Sequence, residues 1–286
     1  MARTYRFGLF GHPVKHSLSP TMHEASFRSL GIEAEYLCFD VLPEVLAERL
    51  AGCRAEGFDG VNLTIPHKEA AFRLMDKLDA SARQFGAVNT VQVSGKGLVG
   101  FNTDASGFLA DLKQSRNATP DGRRVLVLGC GGAGRALAIA CVREGAAAVG
   151  LANRTPSKAV ALAEEIGQQF PETDVEVDVL SDDAEAWARY SLESDIVVQC
   201  TSTGLNVQDA PLLPASAFRR GQLLYDIVYT SRVTPTMRSA LEAGADALNG
   251  AGMLVHQGAA AFAIWTGLSA DTRAMRAALE ARLYRA

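Results

Sequence analysis

The sequence contains few cysteines, and none of them stands in a disulfide or metal-binding pattern. No two cysteines form a CxxC pair, and no histidine is spaced with carboxylates as in a metal site. This pattern predicts neither a disulfide framework nor a bound metal. The residues concerned are Cys38, Cys53, Cys130, Cys141 and Cys200, and His12, His16, His23, His67 and His256.

Long apolar runs and a strong net charge are also missing. The stretch MARTYRFGLFGHP has too short an apolar run for a signal peptide, and no segment has the unbroken apolar length of a membrane helix. The formal net charge of -4, without blocks of like charge, offers no basic surface to nucleic acid or to a membrane. We therefore expect a cytoplasmic monomer or homodimer whose partner is a small-molecule substrate.

The sequence does contain two series of alternating strands and helices, and 286 residues are enough for two domains. Up to about Val93, the β-rich runs YRFGLFG, EYLCFDV and FDGVNLTIP alternate with helical segments, as in an α/β domain with mainly parallel strands. From Arg124, RRVLVLG, AAVGLAN, DVEVDVL, SDIVVQC and QLLYDIV follow a doubly wound, nucleotide-binding pattern. The crossing is predicted near Asp104. The helices after Asn249 could cover either domain.

A glycine-rich turn follows the first strand of the second series. GCGGAG fits GxGxxG, and it lies between the apolar strand RRVLVL and the helix RALAIACVREG. Glycines here allow a tight turn and bring a pyrophosphate close to backbone N–H groups at a helix N-terminus. The alternative is a turn without a ligand, although so many glycines lose backbone entropy that a plain turn need not lose. The predicted cofactor residues are Gly129, Gly131, Gly132, Ala133 and Gly134.

The next strand ends without the acidic residue that NAD-binding folds place on the ribose. Asn153 is followed by Arg154 and Thr155, and Lys158 lies one turn later. Two cations and a hydroxyl at a helix start suit a ribose 2'-phosphate, which favours NADP(H) over NAD. Alternatively, Thr155 is an N-cap before Pro156 with solvated charges around it. The two roles are compatible.

Seven segments resemble, in order, the motif set of the shikimate dehydrogenases: GHPVKHSLSPTMH, NLTIPHK, GAVNT, GFNTD, GCGGAGRA, NRTPSKA and GMLVHQGAAAF. The resemblance extends from about Gly8 to Gly267. It implies a substrate domain of residues 1–103 and 250–286, which includes the C-terminal helices, facing a Rossmann-type NADP domain of residues 104–249 across a cleft. It also implies NADP-dependent interconversion of 3-dehydroshikimate and shikimate by hydride transfer.

Ser17 and Ser19 are two residues apart in HSLSP. In an extended segment their hydroxyls point the same way, and two parallel donors suit a carboxylate. Alternatively, Ser19 caps the helix that opens at Pro20, but capping does not explain Ser17. The resemblance assigns both serines to the substrate carboxylate.

In FDGVNLTIP, apolar residues alternate with Asn62 and Thr64, so that one strand face is polar. Taken alone, the pattern favours a solvated face. The resemblance implies that Thr64, and Asn89 of GAVNT, contact the substrate hydroxyls, with Asn62 as a weaker candidate.

Lys68 lies in the first turn of a predicted helix, where the dipole disfavours a cation. A destabilised ammonium gives up its proton more readily, which suits an acid–base catalyst, but an exposed lysine is more often only solvated. Asp104 taken alone resembles a routine N-cap. The resemblance pairs Lys68 with Asp104 as the catalytic residues, in which the lysine donates the proton and the aspartate orients it.

Two further residues are predicted to bind substrate. Gln257 lies on an apolar helix, where a lone amide needs a partner, supplied by domain packing or, as the resemblance implies, by a substrate hydroxyl. Tyr229 follows a strand end, where α/β folds bind ligands, and the resemblance places it near the substrate carboxylate.

Two departures leave room for alternatives within the family. Glu24 and Asn249 stand where asparagine and aspartate are common. Dehydrogenases of quinate or aminoshikimate are therefore alternatives, although the two serines favour shikimate. A second alternative is a non-catalytic NADP-binding sensor, but the presence of both Lys68 and Asp104 argues against it. A third is a tetrahydrofolate dehydrogenase, which should lack the SLSP and GAVNT segments.

Overall fold

The chain folds into two α/β units. The computed structural model describes residues 4–284. Unit 1 takes in the chain up to Gly107 and again from Leu254, and unit 2 runs from Phe108 to Met253. Each unit contains one six-stranded sheet together with helices, so the predicted class of two α/β domains is confirmed.

Strands and helices alternate along most of the chain. The strands are β1 Tyr5–Gly11, β2 Ala34–Asp40, β3 Gly60–Leu63, β4 Lys77–Leu78, β5 Thr90–Ser94, β6 Gly97–Phe101, β7 Arg124–Leu128, β8 Ala148–Ala152, β9 Glu176–Val179, β10 Ile196–Gln199, β11 Leu223–Asp226 and β12 Asp246–Asn249. The helices are α1 Ser19–Ser29, α2 Leu46–Gly52, α3 Lys68–Phe72, α4 Ala80–Phe85, α5 Asp104–Arg116, α6 Gly132–Arg143, α7 Pro156–Gln169, α8 Ala184–Glu193, α9 Pro235–Glu242, α10 Ala251–Thr266 and α11 Thr272–Leu283.

The sheet of unit 1 is mixed, with the strand order β2-β1-β3-β5-β6-β4. β1 pairs in parallel with β2 and β3, as the alternating pattern predicts. β5 runs antiparallel to β3 and β6. The sequence-based predictions did not include the β5–β6 hairpin. The chain reverses before Gly97, whose φ of 111° lies in the region that favours glycine. The carboxyl ends of β1, β3 and β6 therefore share one sheet edge with the amino end of β5.

Apolar side chains cover both faces of this sheet. Phe7 of β1 stacks on Phe27 of α1 and on Trp265 of α10, with ring centroids 5.3 Å and 4.8 Å apart. Phe10 belongs to a separate cluster with the apolar residues of α2. Trp265 Nε1 also donates a hydrogen bond to the carbonyl oxygen of Val91 at 2.9 Å. Helix α10 thus packs on the sheet and α11 packs on α1, so the C-terminal helices belong to unit 1, as the family resemblance implies.

The sheet of unit 2 is entirely parallel, with the order β12-β11-β10-β7-β8-β9. β8 is buried along its whole length and β7 along most of it, as is typical of a parallel sheet covered by helices on both faces. The strand order reverses between β7 and β10, and in such folds ligands bind in the crevice beside this point. The predicted Rossmann-type fold is confirmed.

The two crossings between the units lie inside helices. The boundary between unit 1 and unit 2 lies after Gly107, within α5, and again after Met253, within α10. The boundaries predicted from the sequence, 103/104 and 249/250, lie next to the starts of these helices. None of the helices described between residues 4 and 284 is long and apolar enough to cross a membrane.

Candidate active site

One edge of the unit 1 sheet collects the two predicted catalytic residues and two of the predicted substrate residues. Thr64 follows β3, Asn89 precedes β5, and Asp104 begins α5 just after β6. These positions meet because β5 runs antiparallel to both of its neighbours. Lys68, the first residue of α3, reaches the same edge because its carbonyl oxygen accepts a hydrogen bond from Val88 N–H at 2.9 Å.

Lys68 and Asp104 form a direct ion pair. Lys68 Nζ lies 2.7 Å from Asp104 Oδ2, and the lysine side chain is 30% exposed while the aspartate side chain is 11% exposed. Lys68 is the first residue of α3, as predicted, but its direct partner is the carboxylate of Asp104, and the predicted influence of the helix dipole on its proton stays a prediction. Asp104 is not a routine N-cap, since α5 begins at Asp104 itself and its carboxylate binds side chains.

Asn89 orients the carboxylate of Asp104. Its Nδ2 donates to Asp104 Oδ1 at 2.9 Å and to Thr103 Oγ1 at 3.0 Å. Its Oδ1 accepts from Thr103 N–H at 2.8 Å and from the Thr90 hydroxyl at 3.0 Å. Both amide hydrogens are thus engaged inside the protein. The structure places Asn89 beside the predicted catalytic pair, and its contact with a substrate hydroxyl stays a prediction.

Asn62 extends this network toward β2. Its Oδ1 accepts from the Tyr36 hydroxyl at 2.8 Å, and its Nδ2 donates to Thr90 Oγ1 at 3.0 Å and to the Asn89 carbonyl oxygen at 3.1 Å. Because Asn62 is only 4% exposed, a solvated strand face is wrong at this position. Burial raises the pKa of Tyr36 well above its ordinary value, so this hydroxyl keeps its proton. Sequence reasoning missed Tyr36 and Thr90, because both lie on other strands: Thr90 on β5, which pairs with β3, and Tyr36 on β2, which β1 separates from β3.

Ser17 and Ser19 lie together at the start of α1. Their hydroxyl oxygens are 3.2 Å apart, and Ser19 N–H also donates to Ser17 Oγ at 3.2 Å. Ser19 does not cap the helix, because α1 begins at Ser19, the N-cap position is Leu18, and no side chain makes a capping bond. Their contact with a substrate carboxylate stays a prediction.

Gln257 lies on α10, in close contact with α5. Its Nε2 donates to the carbonyl oxygen of Leu254 at 2.8 Å, so its own helix satisfies part of the amide. A β-carbon added at Gly107 would lie 2.7 Å from the backbone nitrogen of Gln257, so only glycine allows the two helices to approach this closely. Gly107 is one helical turn after Asp104. No motif in the sequence indicated this role of Gly107.

Tyr229 belongs to unit 2. It lies in the segment between β11 and α9, which we call the 227–234 loop. Burial raises the pKa of its hydroxyl above the ordinary value, so the group is a protonated donor. Its assignment to the carboxylate end of a substrate stays a prediction.

The glycine-rich turn lies where the strand order of unit 2 reverses. Gly129 has a φ of 98°, and a β-carbon at Gly134 would overlap the carbonyl oxygen of Gly129. α6 begins at Gly132 after Gly131 as the N-cap residue, and no atom approaches the β-carbon positions of these two glycines. Backbone N–H groups at a helix start with open space beside them suit an anion, and the contact of this turn with a pyrophosphate stays a prediction.

Asn153 joins this turn to the loop after β8. Its Oδ1 accepts from Cys130 N–H at 3.0 Å, and its Nδ2 donates to the Thr155 carbonyl oxygen at 2.9 Å. Thr155 occupies the N-cap position of α7, but its hydroxyl makes no capping bond. Within residues 4–284, neither Arg154 nor Lys158 has a carboxylate at ion-pair distance. Two such cations and a hydroxyl fit a phosphate group.

A cavity of about 570 Å³ lies beside these loops. The predicted residues that line it are Gly129, Gly131, Asn153, Arg154, Thr155 and Lys158, whereas Gly132, Ala133 and Gly134 are not among its lining residues. Sequence reasoning missed the rest of the wall, formed by Asp182, Trp187, Leu212 and residues 200–203. A signal was available for residues 200–203, because SDIVVQC ends beside the predicted switch point. The cavity and its donors fit a dinucleotide with a ribose phosphate.

The described residues contain no alternative site built on a metal. Between residues 4 and 284, no group of three or more His, Cys, Asp or Glu side chains could hold a metal ion. Cys130 of the glycine-rich turn is buried, and burial raises the pKa of its thiol to about 11. This cysteine is therefore a protonated thiol near neutral pH.

Comparison with known proteins places these features in one family. The model of the "Shikimate dehydrogenase substrate binding domain" matches residues 9–91, that of "Shikimate / quinate 5-dehydrogenase" residues 111–240, and that of the "Shikimate 5'-dehydrogenase C-terminal domain" residues 250–280. A protein of Methanopyrus kandleri named shikimate dehydrogenase (NADP(+)) is 41% identical over 280 residues, which cover 97% of this chain and 96% of the relative. The chain belongs to the shikimate dehydrogenase family.

Solved structures of similar proteins show how far the fold is shared. A shikimate 5-dehydrogenase of Thermus thermophilus, in complex with NADP(H) and shikimate, has a TM-score of 0.85 and 40% identity, covering 96% of this chain and 98% of its own. A quinate dehydrogenase of Corynebacterium glutamicum, in complex with NAD, has a TM-score of 0.87 and 31% identity, with the same coverage. Because the same fold occurs with shikimate or quinate and with NADP or NAD, the preference for one acid and one cofactor depends on individual side chains.

The structure describes the two residues, Glu24 and Asn249, that were expected to depart from the motifs of the shikimate dehydrogenase family. Glu24 is exposed on α1. Asn249 donates from Nδ2 to the carbonyl oxygens of Ser231 at 3.1 Å and Arg232 at 3.2 Å, and its Oδ1 accepts from Ala251 N–H at 3.2 Å. An aspartate could not donate these two hydrogen bonds. Asn249 thus ties the 227–234 loop to the start of α10.

Proposed function

We propose that this chain is an NADP-dependent oxidoreductase that interconverts 3-dehydroshikimate and shikimate by hydride transfer. The observation that carries the proposal is the ion pair of Lys68 and Asp104, held by Asn89, in a chain whose relatives are named shikimate dehydrogenase (NADP(+)). The cytoplasmic location and the monomer or homodimer state stay predictions from the sequence.

Lys68 is the proton donor and acceptor of this reaction. When bound, the nicotinamide of the cofactor supplies or accepts the hydride. In the direction of reduction, Lys68 Nζ gives a proton to the carbonyl oxygen as that oxygen gains negative charge, and in oxidation the neutral lysine removes the hydroxyl proton. Asp104 holds Nζ at 2.7 Å, and Asn89 keeps the carboxylate from rotating. A positioned acid–base group of this kind contributes about 10²- to 10⁴-fold in rate.

The other predicted residues of unit 1 bind and orient the substrate. The hydroxyls of Ser17 and Ser19, 3.2 Å apart, donate to its carboxylate, which the N-terminus of α1 also attracts. Tyr229 is assigned to a substrate carboxylate by the family resemblance, and its buried, protonated hydroxyl is a suitable donor. Thr64 and Gln257 contact the ring hydroxyls. These contacts fix the ketone carbon in the orientation that hydride transfer requires.

NADP(H) is held by unit 2. The glycine-rich turn and the start of α6 offer backbone N–H groups to the pyrophosphate. Arg154, Thr155 and Lys158 receive the ribose 2'-phosphate, and Asn153 keeps their loop bonded to the turn. The support for NADP over NAD is that two cations without carboxylate partners, and a hydroxyl that makes no capping bond, lie where an NAD site has an acid.

One assay separates this function from its rivals. Purified protein is mixed with NADP⁺ or NAD⁺ and with shikimate, quinate or neither, and the reduced nicotinamide is followed by absorbance. We expect the highest kcat/KM for shikimate with NADP⁺. A higher kcat/KM for quinate would reject the substrate, and calorimetric binding of NADP⁺ without turnover of either acid would reject the enzyme in favour of a sensor.

A further inference from the structure

A carboxylate without a cation beside it is buried at the end of β11. Asp226 is 0% exposed, and within residues 4–284 it has no ion pair. Burial raises its pKa to about 6, so the group is ionised at neutral pH in spite of the desolvation penalty. An isolated buried charge is destabilising unless hydrogen bonds satisfy it. Three hydrogen-bond donors stabilise the carboxylate of Asp226, and their positions show which segments this carboxylate connects.

The donors of Asp226 come from the 227–234 loop and from the end of the neighbouring strand β10. Its Oδ1 accepts from Val228 N–H at 3.0 Å and from Gln199 Nε2 at 3.2 Å. Its Oδ2 accepts from the Thr234 hydroxyl at 2.6 Å, and this hydroxyl in turn accepts from a backbone N–H of α9. Val228 and Thr234 lie near opposite ends of the 227–234 loop. The carboxylate thus closes the loop that carries Tyr229.

Gln199 connects the same carboxylate to the cofactor cavity. Gln199 ends β10 and is 0% exposed. Its Nε2 also donates to the Thr203 carbonyl oxygen at 2.8 Å, and its Oε1 accepts from Thr201 N–H. Thr201 and Thr203 line the cavity, in a segment that we call the 200–204 loop. A second bond joins the two loops, because the Thr230 hydroxyl donates to the Gly204 carbonyl oxygen at 3.1 Å.

We propose that Gln199 and Asp226 are positioning residues that hold the 200–204 loop and the 227–234 loop in one arrangement, so that cofactor binding and substrate binding depend on one buried pair. The inference rests on the proposed function for the roles of Tyr229 and the cavity. A merely structural pair affects the free energy of unfolding alone. A positioning pair also changes the Kd for NADP⁺ and the KM for shikimate together, because each loop contacts one of the two ligands.

The first test compares Gln199→Leu with a matched control, Gln222→Leu. Gln222 is also in unit 2 and 1% exposed, and its Nε2 donates to the carbonyl oxygens of Ser191 and Ser194, with no bond to either loop. Both variants lose a buried amide with two acceptors, so both should lower the melting temperature. We expect Gln199→Leu to raise the calorimetric Kd for NADP⁺ and the KM for shikimate at least fivefold each, and Gln222→Leu to change both less than twofold.

Several results would overturn the inference. It is wrong if the two glutamine variants change the Kd by the same factor, or if Gln199→Leu changes only one of the two constants. Activity of the wild type with shikimate is measured first, so that failure of the proposed function is seen separately. If the wild type binds NADP⁺ but shows no turnover, the Kd for shikimate is measured in place of the KM. If the wild type does not bind shikimate at all, the inference is wrong together with the proposed function.

The second test changes Asp226 itself. Asp226→Asn keeps an oxygen that accepts from Val228 and Gln199, and its Nδ2 can donate to the Thr234 hydroxyl, so the connections between the loops are retained. Asp226→Leu removes all three. We expect Asp226→Asn to keep both constants within about twofold of the wild type and Asp226→Leu to raise both at least tenfold. Equal effects of the two variants would contradict positioning by hydrogen bonds.

Discussion

The proton transfer assigned to Lys68 depends on one atom. Lys68→Met keeps an unbranched apolar side chain but removes Nζ, so we expect kcat to fall roughly 10²-fold or more while the Kd for shikimate changes little. Lys77→Met, at an exposed position of β4, is the control and should leave kcat unchanged. Steady-state kinetics with calorimetric Kd values measure both effects. Full turnover by Lys68→Met would remove this lysine from the mechanism.

The preference for NADP⁺ over NAD⁺ is predicted to depend on the guanidinium group of Arg154. A charged hydrogen bond to phosphate contributes about 1.5–3 kcal/mol, so Arg154→Ala should raise the KM for NADP⁺ about 10- to 100-fold. The KM for NAD⁺ should change little, because NAD⁺ lacks the phosphate. Arg220→Ala, an exposed arginine of the same unit, should leave both constants unchanged. Equal losses with both cofactors would place Arg154 outside the phosphate site.

Motifs located these side chains, but they did not identify their partners. The sequence presents Ser19 and Thr155 as helix caps, yet neither hydroxyl makes a capping bond, because capping depends on backbone and side-chain torsions that residue type does not specify. The pairing of Lys68 with Asp104 was predicted from the family resemblance alone, since neither local segment indicates the other residue. Asn62 could not be recognised as buried, since Tyr36 and Thr90 contact it from other strands.

The packing of α5 on α10 depends on a missing β-carbon. Gly107→Ala would place a methyl group 2.7 Å from the Gln257 backbone nitrogen, and such overpacking destabilises by about 1–3 kcal/mol. The KM for shikimate should rise as well, because α10 carries Gln257. Gly167→Ala, on the exposed face of α7 with no atom near the added carbon, is the control and should stabilise by up to about 1 kcal/mol. Denaturant unfolding compares the two, and equal stabilities would contradict the close contact.

Periodicity predicted the long elements better than the short ones. The strands of unit 2 alternate with helices in the order that the apolar runs indicate. The segment HKEAAFRLMDKL suggests one helix, but α3 ends at Phe72, and Lys77–Leu78 pair with β6 as β4. Pairing with a distant strand overrides local helix propensity here, and no local pattern encodes it. The β5–β6 hairpin was also missed, although its signal is local: two short β-rich runs, TVQVS and GLVGF, flank the two residues Gly95 and Lys96.

The division into two units followed from the sequence, but the ionisable groups buried in them did not. His23 of unit 1 is 0% exposed, stacks on Tyr36 at 4.5 Å between centroids, and has no hydrogen-bond partner for either ring nitrogen among the described residues. Burial lowers its pKa from 6.5 to about 3. In unit 2, burial raises the pKa of Asp226 from 3.8 to about 6. The burial of His23 and Asp226 results from tertiary packing, so the sequence alone does not distinguish them from exposed histidines and aspartates.

These two shifts have opposite consequences for stability. As the pH falls through 6.5, the unfolded state takes up a proton at His23 before the folded state does, so unit 1 loses stability. As the pH falls through about 6, the folded state takes up a proton at Asp226 before the unfolded state does, so unit 2 gains stability. The same contribution from Asp226 is lost as the pH rises through its folded pKa.

Acidification from pH 7 to pH 5 should therefore weaken unit 1 and strengthen unit 2. Linkage gives a loss of about 2 kcal/mol from His23 and a gain of about 1 kcal/mol from Asp226. His23→Phe keeps an aromatic ring against Tyr36 without a titratable nitrogen and should remove the loss, while Asp226→Asn should remove the gain. Hydrogen exchange measured on peptides of each unit at both pH values resolves the two effects. If wild type and His23→Phe show the same change of protection in unit 1, His23 does not control its acid stability.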